Sequence, residues 1–78
     1  MIFLIQYDPQ AGKIIYFETF RNDQGANADA ARLEVELKLQ REGGIDHEVV
    51  LFEAESEEAL RQTHRRYFES AGDLLRSR

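Results

Sequence analysis

The chain has 78 residues, with 15 acidic and 10 basic side chains and a formal net charge of −5, which is the size of one small domain spanning 1–78. The longest uninterrupted apolar run, Met1 to Ile5, is far shorter than the roughly 20 residues of a membrane-spanning helix. The chain contains no cysteine, which excludes disulfides, thiol nucleophiles and cysteine-based metal sites. Together with a start that lacks the pattern of a signal peptide, this favours a reducing cytoplasm.

Two segments rich in β-branched and aromatic residues open the chain. They are Met1–Asp8 and Lys13–Arg21, and their composition is typical of strands. Between them Pro9 fixes one φ angle and Gly12 permits a positive one, as a tight turn requires. The sequence therefore predicts a β-hairpin.

A helical period follows, and its apolar positions form a stripe: Ala26, Ala30, Leu33 and Leu37. The 4-3-4 spacing predicts a first helix that runs to about Glu42 and ends at Gly43. Ala31 and Val35 lie opposite the stripe, and Leu39 lies off it. Either these are isolated apolar residues on an exposed side, or the helix is contacted on two sides, by its own sheet and by a neighbouring molecule.

The second half of the chain predicts a third strand and a second helix. Asp46–Ala54 alternates in the manner of a strand, and Ser56 is a good N-cap with two glutamates after it. Helical spacing then continues to Gly72 through these residues: Leu60, His64, Tyr67, Phe68 and Ala71. The final residues, 73–78, are either a last helical turn or a loose tail.

The element order ββαβα indicates an α+β domain with a three-stranded, mainly antiparallel sheet. We prefer strand order 2-1-3, while a third strand lying parallel beside the second is the alternative. Because the connection from strand two through helix one to strand three is the available right-handed crossover, we expect both helices mainly on one face.

Both faces of the predicted sheet are apolar, so one face would lack a cover. A second copy of the chain could bury it, helix two or the tail with Leu74 and Leu75 could fold onto it, or its aromatic rings could bind single-stranded RNA. The acidic charge opposes the last alternative. We favour a non-catalytic domain that binds another protein or forms a homodimer, through the aromatic sheet face or a strand edge. The candidate interface residues are Phe3, Ile5, Tyr7, Ile14, Tyr16, Phe20, Val50 and Phe52.

Catalysis is a weaker interpretation. His64 could act as a general base in a small hydrolase or nuclease, with Arg65 or Arg66 on a phosphate, but no nucleophile motif or phosphate-binding loop accompanies it. A zinc site from His47, Glu48 and His64 lacks the usual ligand spacing. We expect neither a cofactor nor a metal ion.

The charges are unevenly distributed along the second half of the chain. Glu57, Arg61, Arg65 and Glu69 are four residues apart, which predicts a ladder of ion pairs on a solvated helix face. The alternative is that the acidic region around strand three meets the basic end of helix two from a second protomer or another protein.

Overall fold

The structure is a computed structural model that describes residues 1–69. Its elements are strands β1 (Ile2–Asp8), β2 (Lys13–Phe20) and β3 (Glu48–Glu53), helices α1 (Gly25–Glu42) and α2 (Glu57–Thr63), and two 3-10 turns (Asn22–Gln24 and Arg65–Tyr67). The predicted ββαβα order and the α+β class are confirmed. The predicted turn or tail at 73–78 lies outside the described residues.

The three strands form one antiparallel sheet in the order β2-β1-β3, as the sequence predicts. β1 is the central strand, and its residues Ile2 to Ile5 are all buried. Because side chains alternate between faces, Leu4 contributes to one apolar cluster and Phe3 and Ile5 to another. One strand therefore anchors two separate cores.

The hairpin turn is closed by the Asp8 side chain. Its Oδ1 accepts hydrogen bonds from the backbone amides of Gln10 and Ala11 at 3.0 and 3.1 Å, and Gly12 adopts a φ of +66°. The pairing of β1 with β2 has one irregularity. Gln6 pairs with Tyr16 but Tyr7 pairs with Ile14, so the register shifts by one residue. A β-bulge of this kind re-aims the side chains beyond it, and it moves Ile14 to the face opposite Tyr16.

The two helices lie on opposite faces of the sheet, so the expectation that both would share one face is wrong. Ala28 of α1 packs with Leu4 and Phe20, whereas Leu60 of α2 packs with Phe3 and Ile5. An 18-residue helix is about 27 Å long and covers most of one side of a sheet of three short strands. The second apolar face is left for α2 and the turn after it.

Helix α1 presents to the sheet the side opposite the predicted stripe. Ala31 and Val35 pack against the core, and Ala28 is fully enclosed. Leu33 and Leu37 are instead 52% and 44% exposed. The interpretation of Ala31 and Val35 as isolated exposed residues is therefore wrong, because their small side chains let the helix approach the sheet.

Helix α2 is shorter than the sequence predicts. Ser56 caps its start by accepting a hydrogen bond from the amide of Ala59 at 3.1 Å, as expected, but the helix ends at Thr63 and not at Gly72. The 3-10 turn that follows directs Tyr67 onto Tyr7, with the two rings 5.0 Å apart in an edge-to-face contact. The 3-10 turn after the end of α2 thus covers part of this face of the sheet.

One ion pair of the predicted ladder forms in the described part of the chain. Arg61 bonds Glu57 at 2.9 Å, but Arg65 belongs to the 3-10 turn after the helix ends. Arg66 contacts Glu48 of β3 through two hydrogen bonds, of 3.3 and 2.9 Å. The acidic strand and the basic segment therefore meet within one chain.

Truncation of Leu60 tests the two-sided arrangement. Leu60→Ala should lower the free energy of unfolding by about 2 to 5 kcal/mol, because it opens a cavity under α2. Leu33→Ala, on the exposed side of α1, should change it by less than about 0.5 kcal/mol. Urea denaturation of dilute samples measures both values. Equal effects at the two leucines would contradict the burial described here.

Candidate functional site

Exposed apolar side chains concentrate on the α1 side of the sheet. Within residues 1–69, the large hydrophobic side chains that stay exposed are Met1, Ile15, Tyr16, Leu33, Leu37 and Ile45. Leu33 and Leu37 lie on α1, while Ile15, Tyr16 and Ile45 line a groove beside it. By contrast, Phe17, Val50 and Phe52 on the α2 side pack against the buried cluster there. The α1 side is therefore the candidate interaction surface.

The first feature of this surface is the outer stripe of α1, formed by Ala26, Ala30, Leu33 and Leu37. All four residues are exposed, and they lie about half a turn around the helix from Val35, which faces the sheet. Their 4-3-4 spacing is that of one seam of a helix pair. The helix thus has an apolar side on the sheet and a second apolar side in solvent.

The second feature is a groove of about 350 Å³ between the edge strand β2 and the C-terminal half of α1. Its walls are Ile15 and Tyr16 from β2 and Val35 and Leu39 from α1, and Ile45 closes one end. Its polar lining consists of Gln6, Lys38, Glu42 and His47. The groove exists because α1 lies mainly over β1 and β3, which leaves the α1 side of β2 partly uncovered.

Tyr16 and Glu18 form a polar pair on the edge strand beside the groove. The Tyr16 hydroxyl donates a short hydrogen bond to the Glu18 carboxylate. This bond, together with the nearby charges of Glu18 and Glu34, raises the pKa of Tyr16 above its usual value of 10.0. The bond places the Tyr16 hydroxyl beside Glu18 at the rim of the groove.

His47 lies where the groove meets the hairpin turn. Its Nδ1 is 2.8 Å from the Gln6 side-chain nitrogen, and its Nε2 is 3.7 Å from Asp8 Oδ2. Both ring nitrogens thus face polar groups of the chain, and the ring links β1 to the segment that leads into β3. This arrangement fixes the end of the groove where Ile45 lies.

The residues of the catalytic interpretation are not brought together. The ring of His64 stacks on Phe52 at 3.9 Å on the α2 side, whereas His47 lines the groove on the α1 side. Arg66 is engaged by Glu48 and lies over the ring of Tyr67 at 4.2 Å. Over residues 1–69, no three His, Asp or Glu side chains are grouped to hold a metal ion.

The eight predicted interface residues do not form one surface. Phe3, Ile5 and Tyr7 are enclosed beneath α2 and the Arg65–Tyr67 turn, and Ile14, Val50 and Phe52 pack around them. Phe20 is buried on the opposite face. Tyr16 is the member that stays exposed, at 43%. The aromatic rings considered for nucleic-acid stacking are Phe3, Tyr7, Tyr16, Phe20 and Phe52, of which Phe3, Tyr7 and Phe20 are buried.

Sequence reasoning identified the outer stripe as a helix face but not its exposure, and it missed the groove. Leu39 and Ile45 are not among the residues that the sequence predicts for a site. The signal that could have found the groove is the doubled isoleucine before Tyr16, since a break in strand alternation indicates a bulge.

Comparisons with protein-family models, with curated proteins and with solved structures give no match to this chain. No helix in the described part of the chain combines the length and apolar character needed to cross a membrane.

Replacement of Glu18 tests the hydrogen bond between Tyr16 and Glu18 beside the groove. Glu18→Gln should lower the pKa of Tyr16 toward 10.0, because the carboxylate that favours the neutral phenol is lost,. A pH titration followed by NMR of tyrosine labelled at Cζ resolves the individual rings, and Tyr16→Phe assigns the signal. An unchanged Tyr16 titration in Glu18→Gln would contradict the hydrogen bond.

Proposed function

We propose that the chain is a non-catalytic cytoplasmic domain that acts by protein–protein interaction and self-associates as a homodimer through the outer stripe of α1. The observation that carries this proposal is the exposure of Leu33 and Leu37, at 52% and 44%, on a helix whose other side already packs on the sheet. Such a two-sided helix is typical of an element contacted by its own domain and by a neighbour.

The order of small and large residues along the stripe supports a second copy as the neighbour. In an antiparallel pair of α1 helices, Ala26 of one copy can face Leu37 of the other, and Ala30 can face Leu33. Each leucine then lies over an alanine, so the same surface serves both subunits, as two-fold symmetry requires. Large side chains opposite small ones allow two helices to interdigitate closely.

The charges beside the stripe and its short length favour a weak dimer. Asp29 and Glu34 flank the stripe and carry like charge, which opposes close approach in low salt. A contact over three helical turns also falls at or below the roughly 1,200 Å² of the smallest stable interfaces. We therefore expect a dissociation constant in the range of about 10 to 100 μM.

Light scattering over a concentration series tests self-association. From about 5 μM to about 500 μM, the mean mass should rise from near 9.1 kDa toward twice that value. Salt should strengthen the association by screening the like charges beside the stripe. A mass near 9.1 kDa at every concentration would rule out the homodimer.

Charge substitution on the stripe tests which surface is used. The double variant Leu33→Glu with Leu37→Glu should stay monomeric at all concentrations, because it places two carboxylates in the contact. Both positions are exposed, so the free energy of unfolding of the dilute protein should change by less than about 1 kcal/mol in total.

The matched control is Gln10→Glu with Gln62→Glu, which adds the same two charges at exposed positions away from α1. It should dimerise nearly as the wild type does. If control and stripe variants weaken the dimer equally, net charge and not the stripe governs association. If neither variant weakens it, the dimer forms elsewhere.

A further inference from the structure

The groove beside α1 has a feature that the outer stripe lacks, which is a strand edge that no other strand of residues 1–69 pairs with. β2 lies at the edge of the sheet, with β1 on its inner side. On either side of the bulge at Ile15, alternate residues of Lys13–Phe20 direct their backbone amide and carbonyl groups away from β1,. An edge of this length, rich in β-branched and aromatic residues, is a template for pairing with another strand.

The groove lies on the side of the sheet toward which a segment paired with this edge would direct some of its side chains. A segment added to β2 would direct every second side chain toward the α1 side of the sheet. There it would meet Ile15 and Tyr16, which are 45% and 43% exposed, and Leu39 on the opposite wall. A groove between an edge strand and a helix suits an extended peptide, because the strand binds its backbone and the groove selects its side chains.

The charges around the groove favour basic residues in the bound segment. Glu42 lines the groove, and Glu18 and Glu34 both lie close enough to Tyr16 to influence its titration. Lys38 is the basic residue in the lining. Against Lys38 in the lining and Lys13 at the start of β2, the three carboxylates leave an excess of negative charge near Tyr16, which complements a cationic partner.

We propose that this groove binds an extended segment of a partner protein, which pairs with the exposed edge of β2 and places alternate apolar side chains between Ile15, Tyr16 and Leu39, with basic residues at the rim. Backbone pairing supplies affinity, and the apolar and acidic walls supply selectivity. This site is separate from the outer stripe, so it holds whether or not the chain forms a homodimer.

Fluorescence anisotropy with synthetic peptides tests the proposal on the full chain. The probe is a labelled eight-residue peptide in which valine alternates with threonine and two threonines are replaced by arginine. It should bind saturably, with a dissociation constant of about 10 to 100 μM. Replacement of both arginines by glutamate should weaken binding at least tenfold, because the rim is acidic.

A second peptide separates strand pairing from simple apolar capture. N-methylation of alternate backbone amides keeps the side chains but removes the donors that would pair with β2, so binding should be lost. Equal binding of the methylated and unmethylated peptides would overturn the proposal. So would the absence of saturable binding by the unmethylated peptide.

Protein variants locate the site. Ile15→Lys should weaken peptide binding at least tenfold, because it removes an apolar wall and repels the arginines of the peptide, whereas Leu33→Lys on the outer stripe should leave binding nearly unchanged. The opposite pattern would place the peptide on the outer stripe and overturn the proposal, although the homodimer could still form.

Hydrogen exchange identifies any other occupant of the edge. The peptide should slow exchange at those amides of 13–20 that point away from β1. If these amides are already protected without peptide, a second copy or residues 70–78 of the chain occupy the edge, and the proposal of a partner segment fails.

Discussion

The burial of the central strand on both faces is the constraint on which the rest of the structure depends. Ile2 to Ile5 of β1 are all buried, so apolar side chains project in two directions from one strand and each direction requires a cover. At about 25 cal/mol per Å² of apolar surface, leaving either face in water would remove much of the stability of so small a domain. The chain meets this requirement with α1 on one face and with α2 and a 3-10 turn on the other.

This division of the cover explains where exposed apolar surface remains. The α2 side is closed by large side chains, Leu60 and Tyr67, with Phe68 packed beside them. The α1 side is closed by small ones, Ala28 and Ala31, which bring the helix close to the sheet. Leu33 and Leu37 of α1 are therefore left for the outer side, and the position of α1 over β1 and β3 leaves the groove beside β2.

Much of the fold could be predicted from local chemistry. Gly12 and Gly43 take the positive φ values expected of them, Ser56 caps α2, and the short hairpin connection pairs β1 with β2. The place of β3 beside β1 is the preferred one of two strand orders that the sequence leaves open. The side of the sheet taken by α2 could not be predicted, because it depends on the space that α1 occupies. Periodicity also could not decide which side of α1 faces the sheet, because the helix carries apolar residues on both sides. The side with the smaller residues faces the sheet, since small side chains allow a close approach. The sequence predicts a self-association surface among the sheet aromatics, of which Phe3 and Tyr7 are buried on the α2 side and Tyr16 is exposed.

Solvent paramagnetic relaxation of methyl groups, recorded on dilute protein with a soluble gadolinium probe, tests the account most directly. Because both faces of the sheet are covered by the chain itself, the methyl signals of Leu4, Ile5 and Leu60 should be protected from the probe. Those of Ile15, Leu33 and Leu37 should broaden strongly. Broadening of Ile5 and Leu60 to the same extent as Leu33 would mean that the α2 face is open, and the two-sided cover would be contradicted.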